Sequence, residues 1–150
     1  MDKTDIKLLR ALAFDGRRAF SDLAADVDLS APSTADRVRR LERVGAIKGY
    51  RAEIDPSAFS FDLVAFVSVT LDDPAARDGY LSALVTLPEV LECHHVAGDD
   101  DYVLKVRTRG TAGLEELVSS KLKGIAGVSR TKTTVVLSTH VERAFVPEAE

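Results

Sequence analysis

The chain has one cysteine and no tryptophan among its 150 residues. A lone Cys93 excludes an internal disulfide and any cysteine-built zinc cluster within one chain. Its neighbours, VLECHHV, read as a strand, so it is expected as a small buried apolar side chain. Missing too is any apolar run long enough to span a membrane, and the opening MDKTDIKLL starts a helix rather than a signal peptide, so a cytoplasmic location with no membrane partner is expected. There is no Gly-rich phosphate loop, no Cys-His pair and no serine elbow. His94 and His95 are adjacent on a strand and face opposite sides, which prevents them from holding one metal together. The three acids Asp99 to Asp101 lack the spaced ligands of a dedicated cation site. No catalytic residue, metal ligand or cofactor is therefore assigned, and an enzyme is not expected. A basic excess is absent as well, since the net charge is −4.

What is present is charge sorted along the chain. Residues 1–55 hold 11 Lys and Arg against 10 Asp and Glu, whereas residues 56–150 hold 9 against 14. Between Ser30 and Arg51 the count is 6 basic to 2 acidic. That distribution fits one part approaching phosphates while the other faces something else.

The basic stretch, SAPSTADRVRRLERVGAIKGY, predicts a helix over about 31–44: Ser30 caps it, Pro32 sits in the first turn and Gly45 ends it. At about 100° per residue, Thr34, Val38 and Leu41 share an inner side, with Ala35 at its edge. The opposite arc carries Ser33, Asp36, Arg37, Arg40 and Arg43, flanked by Arg39. Short hydroxyls near the N-terminus followed by planar guanidiniums suit a helix that reads a DNA groove. Ser33, Thr34 and Arg37 are the candidates for base reading. The full set of candidate DNA contacts is Ser21, Ser30, Ser33, Thr34, Asp36, Arg37, Arg39, Arg40, Arg43 and Lys48.

Two helices precede it. Ile6, Leu8, Leu9, Leu12 and Ala13 recur at helical spacing over about 3–14, with Asp2 and Asp5 where a cap and a first-turn acid belong. Ser21, preceded by Phe20, is expected to cap a second helix over about 22–27. Only Asp28, Leu29 and Ser30 separate it from the basic helix, the tight turn of a helix-turn-helix, and Asp28 occupies the place that often needs a positive φ. After Gly45, residues 46–54 alternate and predict a short strand placed like the wing of a winged helix.

Asp55-Pro56-Ser57 marks a boundary. Beyond it, strands are expected at about 62–71, 90–96, 102–108 and 128–139. Helices are expected after Asp72-Asp73-Pro74, with Tyr80, Leu81, Leu84 and Val85 inward, and after a Thr111 cap, with Leu114, Leu117, Val118 and Leu122 inward. The order β-α-β-β-α-β is the ferredoxin-like arrangement. The fold class is thus α+β: a helix-turn-helix domain at 1–55 (motif about 20–39), a linker at 56–62, and a ferredoxin-like regulatory and oligomerisation domain at 63–150. Ala65, Val67, Val69, Val135 and Leu137 suggest an apolar sheet face that a homodimer would cover.

MDKTDIKLLRALAFDGR, LAADVDLS, RVRRLERVGAIKGY and ID in the first half, with GDDDYVLKV and GVSRTKTTVVL in the second, resemble the leucine-responsive regulator/AsnC (Lrp/AsnC) family over nearly the whole chain. The resemblance implies an amino-acid-responsive transcription factor that binds double-stranded DNA and is a homodimer or a higher even oligomer such as an octamer, with effector held between regulatory domains. It also implies an effector site at Gly98, Asp99, Asp100, Asp101 and Tyr102, with Thr131, Thr133 and Thr134 on the neighbouring last strand. Two positions depart from the family's pattern: Asp28 stands where the turn usually has glycine, and Asp100 makes the loop unusually acidic.

The residues of that loop suit the implied ligand. Gly98 lets the backbone turn and offer amides to a carboxylate, while the acids accept hydrogen bonds from an ammonium group; a solvated hairpin turn and plain β propensity are the alternatives. Two other functions fit the same chain: an architectural DNA-binding protein without effector, and a ligand-sensing module without DNA binding.

Overall fold

The computed structural model describes residues 1–147. The chain divides into two compact units, one of residues 1–53 with the stretch from Val141 onward, the other Ile54–His140.

The first unit is three helices on a small core. Helix α1, Lys3–Phe14, opens with a reciprocal cap: the Asp5 amide donates to the Asp2 carboxylate at 2.8 Å and the Asp2 amide to the Asp5 carboxylate at 3.0 Å. This satisfies two amides that a helix start leaves unpaired. Helix α2, Phe20–Asp26, starts earlier than expected. The Asp22 and Leu23 amides both bond the Ala19 carbonyl, so the first turn closes on Ala19 and Ser21 lies inside the helix instead of capping it. Asp28 has φ 54°, and the Leu29 amide returns to the Ala24 carbonyl, which completes the tight turn. Helix α3, Ala31–Arg43, begins at a Ser30 cap, whose hydroxyl accepts from the Ser33 amide at 3.3 Å. It ends where Gly45 takes φ 74° and the amides of Gly45 and Ala46 bond the carbonyls of Glu42 and Leu41, a left-handed closure that favours glycine. Leu8, Leu23 and Val38 form the core, with Ala11, Leu12, Val27 and Ile47 packed on it.

Residues 46–55 form no strand, against the expected wing. A strand needs a partner ladder, and the described remainder of this unit offers only helices and irregular chain. The segment is tied back by the Tyr50 hydroxyl, which donates to Glu42 at 2.9 Å. The C-terminal stretch, expected within the domain at 63–150, packs with the first unit, where Arg10 donates to the Pro147 carbonyl.

The second unit is a four-stranded antiparallel sheet of β1 (Leu63–Leu71), β2 (Val90–His95), β3 (Tyr102–Thr108) and β4 (Val128–Val135), in the order β2-β3-β1-β4. Helix α4, Arg77–Leu84, follows β1 after a 3₁₀ turn; α5, Gly110–Glu115, follows β3 and widens into a π turn over Glu116–Leu122. The sheet and helices bury Ala65, Val67, Val69, Leu104 and Val106 against Tyr80, Leu84, Leu114, Leu117 and Leu122.

Alternation along β1 therefore corrects one expectation. Ala65, Val67 and Val69 lie under the helices, and the uncovered face instead carries Val64, Phe66, Ser68 and Thr70. Phe66 is paired with Lys105 on one side and Thr134 on the other and is 41% exposed. Val85 points to solvent, because α4 ends at Leu84 and Leu87 takes the inward place. Thr111 caps nothing: α5 starts at Gly110, whose φ of 61° follows Arg109 as the cap residue. Strand β4 stops at Val135, leaving Leu137 outside it and exposed. Cys93 is exposed rather than buried, since β2 is an edge strand with little cover.

Candidate nucleic-acid interface and effector cavity

In α3 the buried side is Thr34, Ala35, Val38 and Leu41, so the side farthest from the core is Asp36, Arg40 and Arg43, with Arg39 and Arg37 on its two flanks. Thr34 is fully buried and its hydroxyl has no hydrogen-bond partner among the described residues. It cannot reach a base edge, which corrects its assignment as a reader: it shares the helix stripe that packs inward. Ser30 and Ser33 are exposed and bonded to each other at 2.9 Å. Asp36 and Arg39 form an exposed pair at 2.8 Å, of the kind worth a few tenths of a kcal/mol. Arg43 and Lys48 are exposed beyond them, while Ser21 sits on α2 with its hydroxyl against Asp22.

Arg37 and Arg40 are placed differently. One nitrogen of Arg37 donates to Asp2 at 2.7 Å and to Asp5 at 3.0 Å, and Arg40 donates to Asp5 at 2.6 Å. Asp5 is wholly buried. Burial alone would raise its pKa, but hydrogen bonds from Arg40, from the Asp2 amide and from Arg37 outweigh it and hold the carboxyl at about 2. The Asp5 amide and then Arg37 lower Asp2, and the carboxylates of Asp2 and Asp5 raise Arg37.

The loop after β2 is folded inward. The Asp101 carboxylate accepts from the Leu71 amide at 2.8 Å, and the Asp101 amide donates to the Val69 carbonyl at 3.0 Å. Asp100 accepts from the Thr70 hydroxyl at 3.0 Å and from Arg130 at 2.9 Å, and Arg130 also donates to the Asp99 carbonyl at 3.2 Å. The acids are thus pinned by neighbouring strands rather than loose in a solvated turn.

Beside this loop lies a cavity of about 230 Å³ lined by Leu71, Pro74, Arg77, His95, Asp101 and Tyr102. It brings one cation and one carboxylate to a partly apolar hollow, which suits a small zwitterion. Tyr102 is buried, with its ring 4.9 Å from Tyr80 and 5.1 Å from His95. Of the residues expected at an effector site, the structure brings Asp101 and Tyr102 to this cavity; Gly98, Asp99, Asp100, Thr131, Thr133 and Thr134 do not line it. Thr131 and Thr133 pair with Val69 and Val67 and share one face of the sheet, while Thr134 pairs with Phe66 on the other.

Leu71, Pro74, Arg77 and His95 carried no signal that marked them in the sequence as site residues. His95 was the most accessible of them, because a hairpin closing over 96–101 pairs His95 with Tyr102. Arg77 was not, since its place depends on how α4 crosses the end of β1. A larger groove of about 940 Å³ runs past Ala75, Gly79, Ala83 and Gly124, with Asp72, Asp73, Ser120 and Lys121 also in its lining.

Two family models match the chain: the AsnC-type helix-turn-helix domain over residues 1–42 and the Lrp/AsnC ligand binding domain over residues 64–145. The HTH-type transcriptional regulator LrpA of Mycobacterium tuberculosis is 40% identical over 148 residues, spanning 98% of this chain and 97% of that protein. Among solved structures, a transcriptional regulator from Neisseria meningitidis in complex with L-methionine superposes with a TM-score of 0.94 at 29% identity, covering 98% of this chain and 96% of the other. The feast or famine regulatory protein of Mycobacterium tuberculosis complexed with L-methionine gives 0.89 at 40% identity, covering 97% and 99%.

Proposed function

The chain belongs to the Lrp/AsnC family of transcriptional regulators, and from that membership we propose how it works: α3 enters the major groove of double-stranded DNA, and an amino acid bound beside Asp101 biases the protein's assembly or its DNA affinity. The observation that carries the DNA half is the exposed arc of Asp36, Arg39 and Arg43 on a helix set by a four-residue turn, 27–30, from α2. Ser33 near the N-terminus of α3 is placed for base edges and the arginines for phosphates.

The effector half rests on the cavity that joins Arg77 to Asp101. Arg77 offers a planar fork to a carboxylate and Asp101 an acceptor to an ammonium, while Leu71, Pro74 and the Tyr102 ring supply apolar wall. Two of the solved relatives carry L-methionine, a ligand of that chemistry. A homodimer, or an octamer built from dimers, closes the uncovered sheet face around Phe66 and brings two copies of α3 to half-sites on one duplex. Such a protein works in the cytoplasm, and no helix among its described residues is long and apolar enough to cross a membrane. It performs no catalysis in this scheme.

A thermal-shift screen of the full chain against the twenty amino acids tests the effector reading, because a ligand bound only to the folded state raises the midpoint. A shift from one chemical class that Arg77→Ala and Asp101→Ala both remove is expected. No shift at millimolar concentrations would reject the cavity as an effector site and favour an architectural DNA binder.

A further inference from the structure

Six basic side chains lie between Ser30 and Arg51, but they are not equivalent. Two of them, Arg37 and Arg40, meet two carboxylates, Asp2 and Asp5, and the four charges cancel within one cluster. Asp5 is fully buried beneath them. A buried carboxylate left without its cations is heavily penalised, so these guanidiniums are committed to α1. Viewed down α3, Arg37 lies on the flank turned to α1 with Arg40 beside it, whereas Arg43 lies opposite the buried stripe and Arg39 on the other flank. A cation already neutralised by a carboxylate adds little to the displacement of counterions from DNA, and it is that displacement which makes affinity fall with salt.

We propose that Arg37 and Arg40 lock α3 to α1 and set its angle in the groove, as positioning residues, while Arg43 and Lys48 make the phosphate contacts, joined by Arg39 once its weak, exposed pair with Asp36 opens. This rests on the DNA-binding reading and divides its basic residues into two classes with opposite signatures. The locking residues hold the fold of the first unit and leave the salt dependence alone. The phosphate residues set the salt dependence and leave the fold alone.

The test is fluorescence anisotropy of the full chain on a short mixed-sequence DNA duplex across a series of KCl concentrations, with circular dichroism of every variant. Arg43→Ala is expected to lower the slope of log affinity against log salt by roughly 0.9 for each phosphate it no longer neutralises, with an unchanged melting midpoint. The double variant Asp5→Asn/Arg40→Gln removes both charges together and is expected to keep the wild-type slope while melting earlier. Should that variant lose helical content, Asp2→Asn/Arg37→Gln repeats the test at the more exposed edge of the cluster. A double variant whose slope falls as far as that of Arg43→Ala overturns the division and leaves the DNA reading standing, as does an Arg43→Ala slope equal to wild type. A wild-type chain with no salt-dependent binding overturns both.

Discussion

Asp5 shows how one buried carboxyl ties stability to pH. Its pKa is about 2 in the folded chain against an ordinary 3.8, so the unfolded chain takes up the proton first as acid is added. The stabilisation is complete above about pH 4 and is lost as pH falls toward 2; at neutral pH it amounts to about 2 kcal/mol. Asp5→Asn is expected to cost the first unit that much and to flatten its acid unfolding between those values, as read by helical circular dichroism across a pH series. Thr34 is the converse case, a buried hydroxyl with no partner among the described residues. Thr34→Val keeps the shape and removes the orphaned group, so it is expected to stabilise by about 1 kcal/mol with DNA affinity unchanged, measured by denaturant titration and anisotropy. Reduced affinity would return Thr34 to the interface. Asp28 was legible from its place in a three-residue turn, and its φ of 54° agrees. The Asp5 cluster was not, because its partners lie 32 to 35 positions away and no local spacing links them.

At the scale of elements, the sequence disclosed what depends on local chemistry and hid what depends on neighbours. Helix α1 and strand β3 lie where periodicity puts them, and Ser30 and Gly45 bound α3 as their residue types require. Ser21 and Thr111 had the chemistry of caps, yet both helices began two residues earlier, where backbone carbonyls already served the first turn. The face of β1 was misjudged because a strand apolar on both sides gives no alternation to read. The cavity was half legible: Asp101 and Tyr102 follow from the loop, but Arg77 joins them only through packing. Packing also separates two glycines that look alike. Gly45 and Gly127 both have positive φ, 74° and 89°, so alanine at either is strained by about 1 kcal/mol. A Cβ at Gly45 meets open space, whereas one at Gly127 overlaps Ala76 in the turn that leads into α4. Gly127→Ala is therefore expected to cost the second unit at least twice what Gly45→Ala costs the first, by denaturation midpoints followed separately in the two units.

For the whole molecule, the proposed dimer through the uncovered sheet face would connect assembly to DNA binding. Phe66 stands at its centre, exposed, between Lys105 on β3 and Thr134 on β4. Its side chain makes no contribution to the core beneath the helices, so Phe66→Glu leaves the second unit folded while placing a charge where a second copy would pack. The expected result is a fall in mass by light scattering to that of one 16.2 kDa chain, with the circular dichroism spectrum retained. A lone chain presents one α3, and a dimer presents two on one duplex, where the second contact is made at the effective concentration set by the first. The variant should therefore bind with about half the wild-type salt slope, because half as many phosphates are neutralised per complex. An unchanged mass would move the interface elsewhere on the chain. An unchanged slope with a monomer's mass would mean that each copy binds DNA independently, which removes assembly as the lever through which an amino acid alters transcription.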